Sequence, residues 1–135
     1  MGLLTFKGGI HPKDGKALAK DQPIKELLPL GELVYPLSQH IGAPAVPLVK
    51  KGEHVLKGQK IAEAGGFVSA PVYASVAGTV KAIEMRYNPA GSKVNCIVLE
   101  NDGTYEEVEY TPITSLKELT KEEIIESISE AGVVG

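Results

Sequence analysis

Short apolar runs separated by glycines fill the chain between residues 46 and 101. The dividing glycines are Gly52, Gly58, Gly65, Gly66 and Gly78. The last and strongest run is KVNCIVLE, residues 93–100. None of these runs keeps a helical spacing, and glycine supplies turn conformations that residues with a β-carbon resist. The pattern therefore predicts a mainly β fold, a small barrel or sandwich.

The composition is that of an ordinary globular domain. The chain has 135 residues, of which 43% are hydrophobic and 23% charged, and this suits one domain with an appendage. No apolar run approaches the ~18 residues that a membrane-spanning helix needs. We therefore expect no direct membrane span. The net charge of −3 argues against a nucleic-acid partner.

The residues that bind metals are few and scattered. Cys96 is the single cysteine, so it cannot hold an iron–sulfur cluster or a structural zinc without other ligands. Its place in an apolar run predicts an inert thiol in the core. His11, His40 and His54 have no cluster of carboxylates or cysteines beside them. We predict no metal site and expect structural or surface roles for the histidines.

Prolines are concentrated in the first third of the chain. Six of the nine lie at Pro12, Pro23, Pro29, Pro36, Pro44 and Pro47. This density disfavours long helices and central strands, so residues 1–45 are predicted to form an extended arm. Because the arm carries Ile24, Leu27 and Leu30 among other apolar residues, we expect it to be packed.

Helical signals return in the segment 113–135. Two overlapping capping boxes are possible, Ser115 with Glu118 and Thr120 with Glu123, and Gly132 suits the position just after a helix. Apolar residues at helical spacing are Ile124, Ile125 and Ile128. We expect a helix here that leads into a further domain beyond the present chain.

The residues just before this helical segment predict a turn and carry much negative charge. Asn101-Asp102-Gly103 is a strong turn signal, so KVNCIVLE and the following TYEEVEY are predicted to pair as a hairpin. From Asp102 onward there are nine acidic residues and two lysines. They form either a solvated surface or one that docks a partner.

The segment 46–112 contains a pattern known from cofactor carriers. GExVxxGQxIA, from Gly52 to Ala62, is followed by AGTVKAIE, from Ala77 to Glu84. This resembles the barrel-sandwich hybrid fold of lipoyl and biotinyl domains. Such carriers present a lysine at a hairpin tip, but no lysine lies between Lys60 and Lys81 here. Phe67 stands at about the carrier position, and a phenyl ring cannot form the amide that attaches biotin or lipoate.

The flanking motifs resemble one family more specifically. TFKGGIHP at residues 5–12, and QHIGAP and SAPVYASVAGTVKAIE within residues 36–84, are similar to the N-terminal part of the C subunit of the Rnf electron-transport complex. The resemblance covers nearly the whole chain. It implies a peripheral protein at the cytoplasmic face of the bacterial cell membrane, in a complex that moves electrons between ferredoxin and NAD and couples this to ion translocation.

The same resemblance implies that the cofactors lie elsewhere. Members of the family continue into an α/β domain with FMN and NADH as candidate ligands, and then into two 4Fe-4S clusters. With one cysteine and no glycine-rich phosphate loop, this chain is expected to bind none of these cofactors. Its partners would be its own downstream nucleotide-binding domain, other subunits of the complex, and ferredoxin.

Three functional classes can be weighed from these residues. The leading one is a non-catalytic scaffold or docking domain, and the runner-up is a biotinyl- or lipoyl-type carrier, disfavoured by the missing lysine. An enzyme is the third, but no nucleophile–base pair or catalytic carboxylate pair emerges. The residues expected to form the rim of a neighbouring site or a docking surface are Gly8, Gly9, His11, Gln39, His40, Lys50 and Lys51. Simpler interpretations are a tight turn for the glycines and a solvated hairpin turn for the lysines.

Overall fold

A computed structural model describes residues 12–113, 115, 117 and 119–134. Seven strands, one 3-10 turn and one α-helix are assigned in these residues. In chain order they are the 3-10 turn Lys16–Leu18, β1 (Glu32–Pro36), β2 (Val46–Pro47), β3 (His54–Val55), β4 (Lys60–Glu63), β5 (Val72–Tyr73), β6 (Gly78–Tyr87), β7 (Lys93–Asn101) and α1 (Lys121–Glu130). The predicted mainly β fold with a C-terminal helix is confirmed.

The strands form two small antiparallel sheets. One is four-stranded in the order β1-β7-β6-β3, and the other is three-stranded in the order β2-β4-β5. The long β6 and β7 pair from Gly78 opposite Asn101 to Tyr87 opposite Lys93, with a register shift between Val80 and Ala82. Such a bulge bends and twists a strand, which suits a sheet that curls around a compact core.

The core is built from aliphatic side chains of both sheets. The largest fully buried side chains are Leu37, Val55, Ile61, Val76, Val80, Cys96, Ile97, Val98 and Leu99. Four of them are consecutive in β7, and since successive side chains of a strand point to opposite faces, β7 is buried on both faces. Cys96 lies there as predicted, and burial raises the pKa of its thiol.

Gly78 allows β6 and β7 to approach closely where their pairing begins. A β-carbon at this position would lie 2.2 Å from the carbonyl oxygen of Glu100. Any other residue would therefore push the two longest strands apart.

The predicted hairpin of residues 93–100 with residues 104–110 is wrong. β7 already pairs with β1 on one edge and β6 on the other, so no edge is left for a further strand. The later segment instead bonds to Lys57, whose amide donates to the carbonyl of Glu106 and whose carbonyl accepts from Val108. The Asn-Asp-Gly turn forms, but it leads away from the sheet.

The proline-rich arm is only partly packed in this chain. Residues 32–36 of the arm form the edge strand β1, in which Tyr35 is buried, and the following Leu37 is buried too. Pro36 ends that strand, a position that proline tolerates. By contrast, Ile24 and Leu27 are exposed, so the apolar residues of the arm upstream of β1 find no cover among the described residues.

Helix α1 uses the second of the two predicted capping boxes. The hydroxyl of Thr120 accepts from the amide of Glu123, whose carboxylate accepts from the amide of Thr120. Glu118 of the other predicted box lies outside the described residues. At the far end Gly132 has φ 67°, and its amide donates to Ser129 while that of Val133 donates to Ile128. These two bonds form a Schellman ending, with Gly132 at the position just after the helix, as predicted.

The C-terminal end of α1 contacts the smaller sheet. Lys60 forms an ion pair with the carboxylate of Glu130, and the hydroxyl of Tyr73 donates to the backbone carbonyl of the same glutamate. Ile124 is half-buried, whereas Ile125 and Ile128 remain exposed. Within the described part of the chain, no helix is long and apolar enough to cross a membrane.

Replacing Ile97 by alanine tests the importance of β7. The side chain is fully buried, so we expect the free energy of unfolding to fall by about 2–5 kcal/mol in urea denaturation. Ile24→Ala is the matched control, because that side chain is fully exposed and its loss should change stability by no more than ~0.5 kcal/mol. Equal effects of the two substitutions would contradict the assignment of the core.

Candidate functional site

The loop between β4 and β5 carries an exposed aromatic side chain. It covers residues 64–71, and Phe67 stands near its middle with its side chain fully exposed. β4 and β5 pair as an antiparallel hairpin, so Phe67 lies at a hairpin tip, as the resemblance to carrier domains predicts. Exposure of a whole phenyl ring is unusual, because its burial would be worth roughly 1.5–3 kcal/mol.

Ser69 and Ala43 attach this loop to the segment before β2. The hydroxyl of Ser69 accepts from the amide of Gly65 at 2.9 Å and donates to the carbonyl of Ala43 at 2.8 Å. The amide of Ala43 donates back to the carbonyl of Val68 at 2.9 Å. Three hydrogen bonds thus fix the loop internally and against residues far away in sequence.

His40 adds a fourth hydrogen bond, and this bond selects the tautomer of its neutral ring. The amide of Ala70 donates to Nε2 of His40 at 3.1 Å, so Nε2 carries no proton. In the neutral ring the proton then lies on Nδ1, which is 2.9 Å from the carbonyl oxygen of Ile41 and donates to it. Both ring nitrogens are occupied by the backbone, which explains the role of His40 without a metal.

Two glycines permit the contact between the loop and the segment before β2. A β-carbon on Gly42 would lie 2.0 Å from the carbonyl oxygen of Val68, and one on Gly65 would lie 2.0 Å from that of Pro44. Gly42 also has φ 91°, a conformation that residues with a β-carbon rarely adopt. Gly42 of the QHIGAP motif and Gly65 therefore permit this close packing.

An open groove of about 700 Å³ lies between the two segments. We call it the tip groove. It is lined by Ser38, Gln39, His40, Ile41, Phe67, Val68, Ser69 and Val134. Apart from Gln39, its exposed members are apolar: Phe67 is fully exposed, Ile41 is 80% exposed, and Val68 and Val134 are 50% and 55% exposed. A groove of this composition suits the binding of an apolar segment of polypeptide.

The structure brings together some of the predicted site residues and separates others. Gln39 and His40 line the tip groove. Lys50 and Lys51 are exposed in the turn between β2 and β3 and do not line it. Gly8, Gly9 and His11 lie outside the described residues.

Sequence reasoning missed the apolar members of the groove. Ile41 and Val68 give no signal because an isolated apolar residue in a loop is common, and Val134 lies far along the chain from both. The available signal is Phe67, a large aromatic residue beside a glycine pair. From the sequence alone it indicates only the replacement of a carrier lysine.

A second polar cluster surrounds Asp102 in the turn that follows β7. Nε2 of His54 donates to Oδ2 of Asp102 at 2.8 Å, and the amide and hydroxyl of Thr104 both donate to Oδ1 at 2.8 Å. The bond from His54, followed by those from Thr104, lowers the pKa of Asp102 from 3.8 to about 2. The cluster holds the turn against the edge strand β3.

The cysteine and the two histidines that the structure describes are not grouped as the ligands of a metal or an iron–sulfur cluster would be. Cys96 is fully buried and its Sγ faces the carbonyl of Val94. His40 and His54 belong to separate hydrogen-bond networks. No group of three or more potential metal ligands occurs in the part of the chain that is described.

Part of the acidic segment that begins at Asp102 pairs with two lysines beside and within β4. Glu107 binds Lys57, and Glu130 binds Lys60. Each hydrogen bond raises the pKa of its lysine. Exposed ion pairs contribute little to stability, but these two hold the acidic segment against the residues around β4. Two of its carboxylates are therefore already paired within the chain.

Comparison with known proteins identifies the family. The model of the RnfC barrel sandwich hybrid domain matches residues 4–104. The chain belongs to this family. A relative from Clostridium ljungdahlii, the C subunit of a proton-translocating ferredoxin:NAD(+) oxidoreductase complex, is 45% identical over 98% of this chain and 29% of its own length.

Two further relatives agree with this assignment. The C subunit of the Na(+)-translocating ferredoxin:NAD(+) oxidoreductase complex of Acetobacterium woodii is 40% identical over 97% of this chain and 30% of its own length. The C subunit of an ion-translocating oxidoreductase complex of Haemophilus influenzae is 39% identical over 98% and 21%. The chain thus spans less than a third of the length of each of these relatives.

Replacing Gly42 by alanine tests how the tip loop is held. The new β-carbon would collide with the carbonyl of Val68, so we expect faster amide hydrogen exchange at Ala43 and Ala70 and a lower unfolding midpoint. Gly91→Ala is the matched control, because Gly91 also has positive φ but no atom within 4 Å of the added carbon. If the two substitutions had the same effect, the close contact would not matter.

The Asp102 cluster predicts a specific dependence of stability on pH. Because folding lowers the pKa of Asp102 from 3.8 to about 2, the stability it contributes is present above pH 3.8 and is lost as the pH falls towards 2. We therefore expect Asp102→Asn to lower the unfolding midpoint at pH 5 and to have little effect near pH 2. Asp21→Asn, at an exposed carboxylate, is the control. A gap between the wild type and Asp102→Asn that stays constant across this pH range would contradict the assignment.

Proposed function

We propose that this chain is the N-terminal scaffold and docking module of the C subunit in an ion-translocating ferredoxin:NAD oxidoreductase complex. The relatives described above carry these activities in their names. The longer protein would take part in electron transfer between ferredoxin and NAD, coupled to ion translocation. This module would supply no reacting group and would position the parts that do.

The observation that supports a docking role most directly is the hairpin tip. A carrier needs a lysine there and a mobile arm attached to it. This chain has Phe67 instead, on a loop that Ser69, Ala43 and His40 fix by hydrogen bonds. An exposed aromatic side chain on a fixed loop is suited to binding another protein surface.

The redox cofactors belong to other parts of the proposed protein. We propose that two 4Fe-4S clusters and the FMN or NADH site lie beyond residues 1–135. Cys96 is a single buried residue of β7, so this chain offers no cluster ligand set. We further propose the division into an arm (1–45), a barrel-sandwich module (46–112) and a helical connection (113–135).

The proposed partners are the downstream domain, neighbouring subunits and ferredoxin. Lys50 and Lys51 form an exposed pair in one turn, and positive charge of this kind speeds encounter with an acidic protein. We propose a peripheral position at the cytoplasmic face of the membrane.

The isolated chain and the full-length protein should differ in every cofactor property. We expect the purified chain to be colourless, to bind neither flavin nor NADH, and to keep its calculated mass after co-expression with biotin and lipoate ligases. The full-length protein should show iron–sulfur absorbance. Absorbance spectra, equilibrium dialysis and intact-mass spectrometry are the measurements, with a biotinyl carrier domain as the positive control for modification.

The docking role has its own measurement in the assembled complex. A deletion variant of the longer protein that lacks residues 1–112 should retain its iron–sulfur absorbance but co-purify less with the other subunits. Covalent attachment of biotin or lipoate to the isolated chain would refute the docking assignment, and so would tight flavin binding by that chain. So would normal assembly of a complex whose C subunit lacks the module.

A further inference from the structure

The tip groove presents an apolar surface that the described residues leave open. Phe67 is fully exposed, Ile41 is 80% exposed and Val68 is 50% exposed, and all three line the groove. Scattered apolar side chains on a surface are ordinary, but side chains gathered in one concave patch indicate a binding surface.

The exposed ring does not result from a loose loop. Ser69, Ala43 and His40 hold the loop through four hydrogen bonds to its backbone or side chains. Gly42 adds a backbone contact too close for any other residue. Phe67 is therefore presented in advance, and a partner that covers it would not need to order the loop first.

The C-terminal end of the described chain runs into this groove. Glu130 at the end of α1 is held by Lys60 and Tyr73 of the small sheet. Gly132 then turns the chain so closely past Pro71 that a β-carbon on it would lie 3.3 Å from the Pro71 carbonyl oxygen. Val134 follows and lines the groove together with Phe67.

The relatives are much longer than this chain. This chain spans 29% of the Clostridium ljungdahlii protein and 30% of the Acetobacterium woodii protein. In a protein of that length, the residues after 134 begin at the wall of the tip groove. A segment tethered so close has a high effective concentration, of the order of millimolar for a short link, so it has an advantage over any separate protein.

We propose that the tip groove is the docking site for the polypeptide that follows residue 135 in the longer protein. An apolar side chain of that downstream part covers Phe67, Ile41 and Val68. The groove thus joins the module to its own continuation and fixes their relative orientation. This inference rests on the proposed function, in which the chain is the N-terminal module of a longer protein.

Photo-crosslinking in the full-length protein, within its assembled complex, tests the proposal. The photoreactive residue p-benzoylphenylalanine replaces Phe67, which it resembles in shape, and crosslinked peptides are mapped by mass spectrometry after irradiation. The main product should join position 67 to a residue beyond 135 of the same polypeptide. Tyr87 is the matched control position, because it is exposed and does not line the tip groove.

A crosslink from position 67 to residues 1–11, to a second copy or to another subunit would overturn the proposal. An assembled complex in which position 67 forms no crosslink would overturn it too. A product with another subunit would still support the docking role of the module, so the two failures can be told apart.

A second measurement uses Phe67→Ser, with Tyr87→Ser as its control. In the full-length protein only Phe67→Ser should speed proteolysis just beyond residue 134, by several-fold. The unfolding midpoint of the isolated chain should not change, because the ring is exposed there. Equal proteolysis of both variants and the wild type would refute the proposal.

Discussion

The position of β7 between β1 and β6 is the constraint on which the rest of the structure depends. Its backbone is paired on both edges, and its residues Cys96 to Leu99 are buried on both faces. A strand with no free edge and no free face can be placed in only one way, because a shift of one residue would exchange its two buried faces. The proline-rich segment before β1 and the turn after Asn101 must both adapt to it.

The chain has the architecture of a carrier domain but a different residue at the hairpin tip. In a carrier the hairpin tip must be accessible to a modifying enzyme and must present a lysine. Here the tip is bonded to the segment before β2 and presents Phe67, whose ring has no attachment chemistry. The aliphatic core below the tip does not depend on what the tip presents, so the same fold accommodates either a lysine or a phenylalanine there.

Local features of the structure can be predicted from the sequence, and non-local ones cannot. The strand 93–100, the Thr120–Glu123 cap and the Gly132 ending depend on residues close together in the chain, and all three predictions are confirmed. The predicted hairpin after Asp102 is wrong because a turn signal does not say whether the edge of a strand is already occupied. The tip groove escapes prediction for a related reason: its two walls and Val134 come from three distant parts of the chain.

Gly132 determines the direction in which the polypeptide leaves the module. Its left-handed conformation at φ 67° and its passage close to Pro71 leave the backbone little freedom between the end of α1 and Val134. Residues that follow in a longer protein would thus start from a defined point along a defined path. In mechanical terms, the helix and its glycine ending act as a bracket, and the position of whatever follows it relative to the module is set by rigid geometry instead of by linker length.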